Sequence, residues 1–262
     1  MKYFIEYAAY TSKLKNKDTR GKALFALILL LCGILGNNIF SLSFIFLVSI
    51  YFTVVKSGTP IIKYIKMYIS PALFIFMGII AVSANIYSER TGIICLPFFA
   101  DKFICTTESS IHRGILTGLR AFSCISSMYF LILTTDIYSI TALFTKLKFP
   151  QIITELMFLI YRFIFVLTER RDAIIISQKS RLGYENFKLS IKSMAMMFSS
   201  VFIISMTKVS KIYDSLESRC FDGKFIFSDT KYNKKDFIYF ILVSIIVLTI
   251  FIFMEVNLKW KT

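Results

Sequence analysis

The 262-residue chain is 56% hydrophobic and only 18% charged, with 28 Phe, 14 Tyr and a mean hydropathy of +0.68. Soluble domains carry nearer a quarter charged residues, and one core could not hide that much aromatic surface, so lipid must solvate much of it. The formal charge of +15 alternates with apolar runs instead of forming one stripe, which fits cytoplasmic loops facing anionic lipid and argues against nucleic acid as a partner.

Residues 1–22 carry Lys2, Lys13, Lys15, Lys17, Arg20 and Lys22. The apolar run that starts at Ala23 has no small-residue cleavage site behind it, so it reads as a membrane helix and not as a signal peptide. Apolar runs fall at about 23–35, 39–55, 67–87, 114–135, 152–168, 194–206 and 237–254. A spanning helix needs about 20 mainly apolar residues, a length that the third, fourth and last meet. Gly33, Gly36, Asn37 and Asn38 break the first two into a tight hairpin. The runs at 152–168 and 194–206 are bounded by charge, and either cross obliquely or lie partly buried at the surface. Five to seven membrane-embedded helices are expected.

Charge orients the chain. The N-terminal segment and the 56–66 connection (Lys56, Lys63, Lys66) are basic, the Asn37-Asn38 turn is uncharged, and the 88–113 loop balances Arg90, Lys102 and Arg113 with Glu89, Asp101 and Glu108. The positive-inside rule puts the first two inside and the 88–113 loop outside, with the fourth helix returning to the cytoplasm near Thr135.

From Asp136 to Lys235 charges of both signs mix with apolar residues at helical spacing. Pro150 opens one helix, as proline does in a first turn. Residues 169–181 (Glu169, Arg170, Arg171, Asp172, Lys179, Arg181) form a separate charged helix. In 207–221, Val209, Ile212, Tyr213, Leu216 and Cys220 keep one apolar stripe, with Lys208, Lys211, Glu217 and Arg219 off it. The fold class is all-α: a polytopic membrane bundle with cytoplasmic amphipathic helices. Residues 1–135 form an N-terminal transmembrane bundle, 136–235 a cytoplasm-facing module with membrane-embedded helices, and 236–262 the last transmembrane helix.

Catalytic patterns are missing. There is no G-x-x-x-x-G-K-[ST] loop, G-x-S-x-G or H-E-x-x-H, and no acidic residue in the middle of an apolar span. The five cysteines (Cys32, Cys95, Cys105, Cys124, Cys220) have no C-x-x-C spacing and read as reduced, packed thiols, while His112 has no histidine partner at helical spacing. Neither a metal ligand set nor a catalytic residue is assigned, and a non-catalytic scaffold is expected in place of an enzyme. One element repeats: Ser180-Arg181-Leu182 and Ser218-Arg219-Cys220, with Tyr184 and Gly183, then Phe221 and Gly223, close behind. Arginine offers a rigid five-donor fork for carboxylates, so two such elements suit a part that grips two copies of a soluble partner. Arginines that anchor to lipid phosphate are the bland alternative.

Several segments together resemble the transmembrane T component of energy-coupling factor (ECF) transporters, most of all its cobalt-uptake, CbiQ-like branch. Asp18-Thr19-Arg20-Gly21-Lys22 resembles the family's D-P-R-x-K start, and Thr134-Thr135 with Leu143, Leu147, Phe149 and Pro150 its T-T…L…L-x-x-P stretch. Tyr161-Arg162-Phe163-Ile164-Phe165-Val166-Leu167 with Glu169 resembles Y-R-Y-I-F-V-L…E, and the two Ser-Arg elements, the second within Tyr213–Gly223, resemble its paired A-R-G motifs. Thr19 replaces proline, serine replaces both alanines, and Leu182 and Cys220 stand where glycine is usual.

The resemblance implies that Ser180, Arg181 and Leu182, and Ser218, Arg219 and Cys220, dock two cytoplasmic ATP-binding-cassette subunits. It implies a separate substrate-binding membrane subunit, a prokaryotic plasma-membrane location and no cofactor in this chain, with ATP held by the partners. The implied cargo is cobalt or nickel, and the alternative is a vitamin-importing system with interchangeable substrate subunits.

Overall fold

The computed structural model describes residues 10–15, 17–83, 85–87, 94–99, 102–221 and 234–259. Lys2, Glu89, Arg90, Asp101, Asp222 and Gly223, invoked above, lie outside them. The helices are α1 (Thr19–Leu35), α2 (Ile39–Ile50, continued by a π-helical turn Tyr51–Lys56), α3 (Ile61–Ser83), α4 (Glu108–Thr134), α5 (Ile137–Lys146), α6 (Gln151–Ser180), α7 (Phe187–Glu217) and α8 (Lys234–Lys259). Six are long and apolar enough to cross a membrane: α2 with its π turn, α3, α4, α6, α7 and α8. A small antiparallel sheet, β1 (Asn85–Tyr87), β2 (Ile94–Phe99) and β3 (Lys102–Thr106) in the order β1-β3-β2, sits between α3 and α4 in sequence.

The chain forms two compact units, residues 1–140 with 230–262, and residues 141–229. In the first unit an aromatic cluster builds the core: the Phe25 ring lies 4.8 Å from Phe52, 5.3 Å from Phe130 and 6.2 Å from Phe240, centroid to centroid. Lipid tails are as apolar as these side chains, so close backbone approach and internal hydrogen bonds must supply what hydrophobic burial supplies in water. Gly114 and Gly118, one turn apart on α4, supply the approach, because a Cβ at either would collide with Ser83 Oγ or Ile79 Cδ1 of α3. Ser127 Oγ donates to the Ala26 carbonyl at 2.7 Å and Ser123 Oγ to the Leu42 carbonyl at 3.0 Å, tying α4 to α1 and α2.

Each end of this unit is closed by a polar lock. At one end Asp18 caps α1 by accepting from the Arg20 N–H at 2.9 Å, and Lys22 has no exposed surface. The Lys22 ammonium donates to the carbonyls of Leu14 (3.1 Å) and Thr134 (3.0 Å), so the final carbonyl of α4 receives a cation where the helix dipole is most negative. At the opposite end Glu255 of α8 accepts from the N–H groups of Asn37 and Asn38 (2.9 and 3.2 Å), Asn38 Nδ2 (3.2 Å) and Ser41 Oγ (2.7 Å). That contact sets the C-terminal end of α8 beside the α1–α2 turn, away from the basic N-terminal segment.

In the second unit α6 and α7 form a hairpin. Tyr184 Oη donates to Gln178 Oε1 (2.8 Å), Gln178 Nε2 to the Ser193 carbonyl (2.9 Å) and Ser193 Oγ to the Gly183 carbonyl (2.7 Å), which fixes the turn. The 152–168 run and the charged 169–181 segment are one continuous helix, not two, and 207–217 likewise continues 194–206. The reason is local: no Gly or Pro lies within Gln151–Ser180 or Phe187–Glu217, and a change from apolar to charged residues does not by itself break a hydrogen-bond ladder. Pro150 is the N-cap of α6, one position before its first turn.

Candidate functional site at two matched helix ends

The two Ser-Arg elements occupy the C-termini of the two longest helices. At the end of α6 the Arg181 N–H donates to the Gln178 carbonyl (3.2 Å), that of Leu182 to Lys179 (3.0 Å) and that of Gly183 back to Gln178 (2.9 Å). At the end of α7 the Arg219 N–H donates to Leu216 (3.1 Å), that of Cys220 to Glu217 (2.9 Å) and that of Phe221 back to Leu216 (3.1 Å). The two patterns coincide bond for bond. The serines differ in detail, since Ser180 Oγ donates four residues back to the Ile176 carbonyl and Ser218 Oγ three residues back to the Ser215 carbonyl, each at 3.1 Å.

Both turns reverse the chain through a left-handed residue, Leu182 at φ 55° and Cys220 at φ 53°. This is the helix-ending geometry in which the residue past the cap has positive φ and the following N–H reaches back five residues, a place that favours glycine. It gives a physical reason for glycine at the third position of an A-R-G motif. Here a leucine and a cysteine adopt the same conformation at a cost of about 1–2 kcal/mol each. Gly183 answers a different demand, because a Cβ on it would lie 2.7 Å from Ser193 Oγ.

Arg181 and Arg219 are both exposed, and neither has an ion-pair partner among the described residues. The helix ends therefore present two unneutralised guanidinium groups held at the same place in the same turn. Lys148, after α5, is a third non-glycine residue with positive φ (60°), and the N–H of Phe149 reaches back to Phe144. Leu147 stands there where the other two turns carry arginine, so the serine-arginine pair and not the turn alone marks the two elements.

Pattern reading of single segments did not connect Arg181 with Arg170, three turns earlier on α6, or with Lys192, which lines the same groove from α7. The positions 170, 173/174, 177/178 and 181 on α6 and 189, 192/193, 196, 200 and 204 on α7 line one groove. Its stripe at i, i+3, i+4 and i+7 was present in the sequence, but a stripe with basic members does not register as apolar periodicity. Among the described residues no cluster of three His, Cys, Asp or Glu side chains could hold a metal ion.

The fold thus defines a multi-pass helical membrane protein with two equivalent basic helix ends. Residues 11–232 match the family model described as cobalt transport protein, CbiQ, and the chain belongs to that family. It is 30% identical over 234 residues to the uncharacterized protein MJ1089 of Methanocaldococcus jannaschii, covering 84% of this chain and 81% of the relative. It is 29% identical to a Methanocorpusculum labreanum protein whose name describes a fused cobalt transport protein CbiMQ, over 84% of this chain and 37% of the longer relative. It is 22% identical to the cobalt transport protein CbiQ of Salmonella typhimurium, over 59% of this chain and 69% of that protein. The chain is accordingly a membrane component of the cobalt transport family.

Proposed function

We propose that this chain is the transmembrane scaffold, or T, subunit of an ECF transporter for cobalt or nickel import. In this reading it is not catalytic and holds no nucleotide. Two cytoplasmic ATP-binding-cassette subunits bind and hydrolyse ATP, and the turns around Arg181 and Arg219 each seat in one of them. Their closing and opening is passed through α6 and α7 to a separate membrane subunit that binds the cargo. The observation that carries the proposal is the bond-for-bond match of the two arginine-bearing helix ends: two equal partners require two equal contacts. The relative named as a fused CbiMQ supports a second membrane part beside the CbiQ-like one.

The physical requirement is a packed element with two states that nucleotide biases differently. Each arginine, once covered by a partner, pairs with a carboxylate, and truncating one member of a buried charge pair costs about 2–5 kcal/mol. The test is affinity purification of the whole complex carrying Arg181→Ala and Arg219→Ala together, with uptake of labelled Co²⁺ by the same cells. The double variant is expected to lose both ATPases and uptake. A double variant that keeps both refutes the assignment.

A further inference from the structure

The α6–α7 hairpin encloses an open groove of about 600 Å³ whose only charged lining residues are Arg170, Arg181 and Lys192. None of the three has an ion-pair partner among the described residues, and no carboxylate lines the groove. Between the cations the walls are apolar, formed by Ala173, Ile174, Met196 and Ile204, with serine hydroxyls at Ser177 and Ser200. Three cations share one groove with no counter-charge in its lining, so an anion that enters meets only favourable charge. A small soluble anion would leave the apolar walls wet. An occupant must carry negative charge and hydrocarbon together.

We infer that this groove is a binding site for one anionic phospholipid, its phosphate near Lys192 with Arg181 and Arg170 at the two ends, and its acyl chain along Ile174, Met196 and Ile204. Arg170 and Arg181 are eleven residues apart, about 16 Å along the helix at 1.5 Å per residue. Both α6 and α7 are helices apolar enough to be membrane-embedded, and Phe198 and Phe202 of α7 are 64% and 66% exposed, which makes lipid the molecule already at hand. The volume suits a glycerophosphate headgroup and the first carbons of a chain. The inference does not rest on the coupling role, and its test leaves Arg181 in place.

The experiment is native mass spectrometry of the full chain in mild detergent, titrated with dioleoyl phosphatidylglycerol or dioleoyl phosphatidylcholine. The wild type is expected to retain one phosphatidylglycerol in preference to phosphatidylcholine. Arg170→Gln with Lys192→Gln is expected to lose that preference, by about fivefold for each cation removed. Arg162→Gln with Lys208→Gln, equal in charge but outside the groove, keeps it. Unchanged thermal unfolding of the variants in lipid-free detergent shows that the fold is intact. Equal retention of the two lipids by the wild type, or retention of phosphatidylglycerol by the groove variant, overturns the inference. Displacement by millimolar inorganic phosphate makes this a site for soluble anions and also overturns it.

Discussion

The left-handed turn after Arg181 makes a prediction that separates backbone from side chain. Leu182 has φ 55°, its N–H donates to the Lys179 carbonyl at 3.0 Å, and its side chain is 67% exposed. Leu182→Gly relieves about 1–2 kcal/mol of left-handed strain, while the extra freedom of glycine in the unfolded chain returns about 0.5–1 kcal/mol. The exposed side chain adds little burial to lose. The net effect is a stabilisation between zero and about 1.5 kcal/mol. Leu182→Pro does the opposite: the ring holds φ near −65°, about 120° from the native value, and removes the donor to Lys179, a cost of about 3 kcal/mol or more. Because the turn is exposed and local, that energy is expected to unwind the last turn of α6 and re-aim Arg181, not to unfold the bundle. At about 1.4 kcal/mol per decade, 3 kcal/mol corresponds to more than a hundredfold in affinity for the proposed ATPase partners. The assay is recovery of the ATPase subunits on the tagged chain, with thermal unfolding of the same samples followed by circular dichroism. Leu182→Gly should recover as much ATPase as the wild type, and Leu182→Pro as little as Arg181→Ala, with the bundle still folded in both. Full recovery with the proline variant, or loss with the glycine variant, refutes the claim that the turn aims the arginine.

Three further outcomes test the membrane bundle. Lys22→Met keeps the volume but takes the ammonium from the Thr134 and Leu14 carbonyls, the second of which keeps the Lys17 N–H as a donor; the lost bond to Thr134 alone costs about 1–3 kcal/mol, so a clear fall in Tm in detergent is expected and an unchanged Tm counts against the lock. Gly118→Leu drives a side chain into Ile79 and should cost about 1–3 kcal/mol or prevent a monodisperse fold; Gly78→Ala, where nothing lies within 4 Å, is the silent control. Glu255→Ala removes an acceptor of four hydrogen bonds at the start of α2. It should cost about 2 kcal/mol and speed amide exchange at Asn37 and Asn38, whereas slow exchange in the variant would show that the carboxylate does not hold the turn.

The amino-acid order alone settled the membrane class, the helical architecture and the family. Those properties follow from composition, from runs of apolar residues long enough for a bilayer and from short motifs, all of which are local along the chain. It also marked Arg181 and Arg219, because the Ser-Arg element repeats. Helix lengths were less legible: the charge beginning at Glu169 resembled a boundary, but charged residues sustain a helical ladder, and no Gly or Pro interrupts it there.

Tertiary structure alone decided what depends on residues far apart in the chain meeting in space. It brought Lys22 to Thr134, Glu255 to Asn38, and Arg170 and Lys192 to opposite walls of one groove. It also showed that Leu182 and Cys220, unlike glycine in every respect of side chain, hold the backbone conformation for which glycine is usually chosen. Sequence records which side chain is present, whereas φ at a helix end is set by whichever carbonyls remain to be satisfied. That balance exists only once the last turn of the helix has formed.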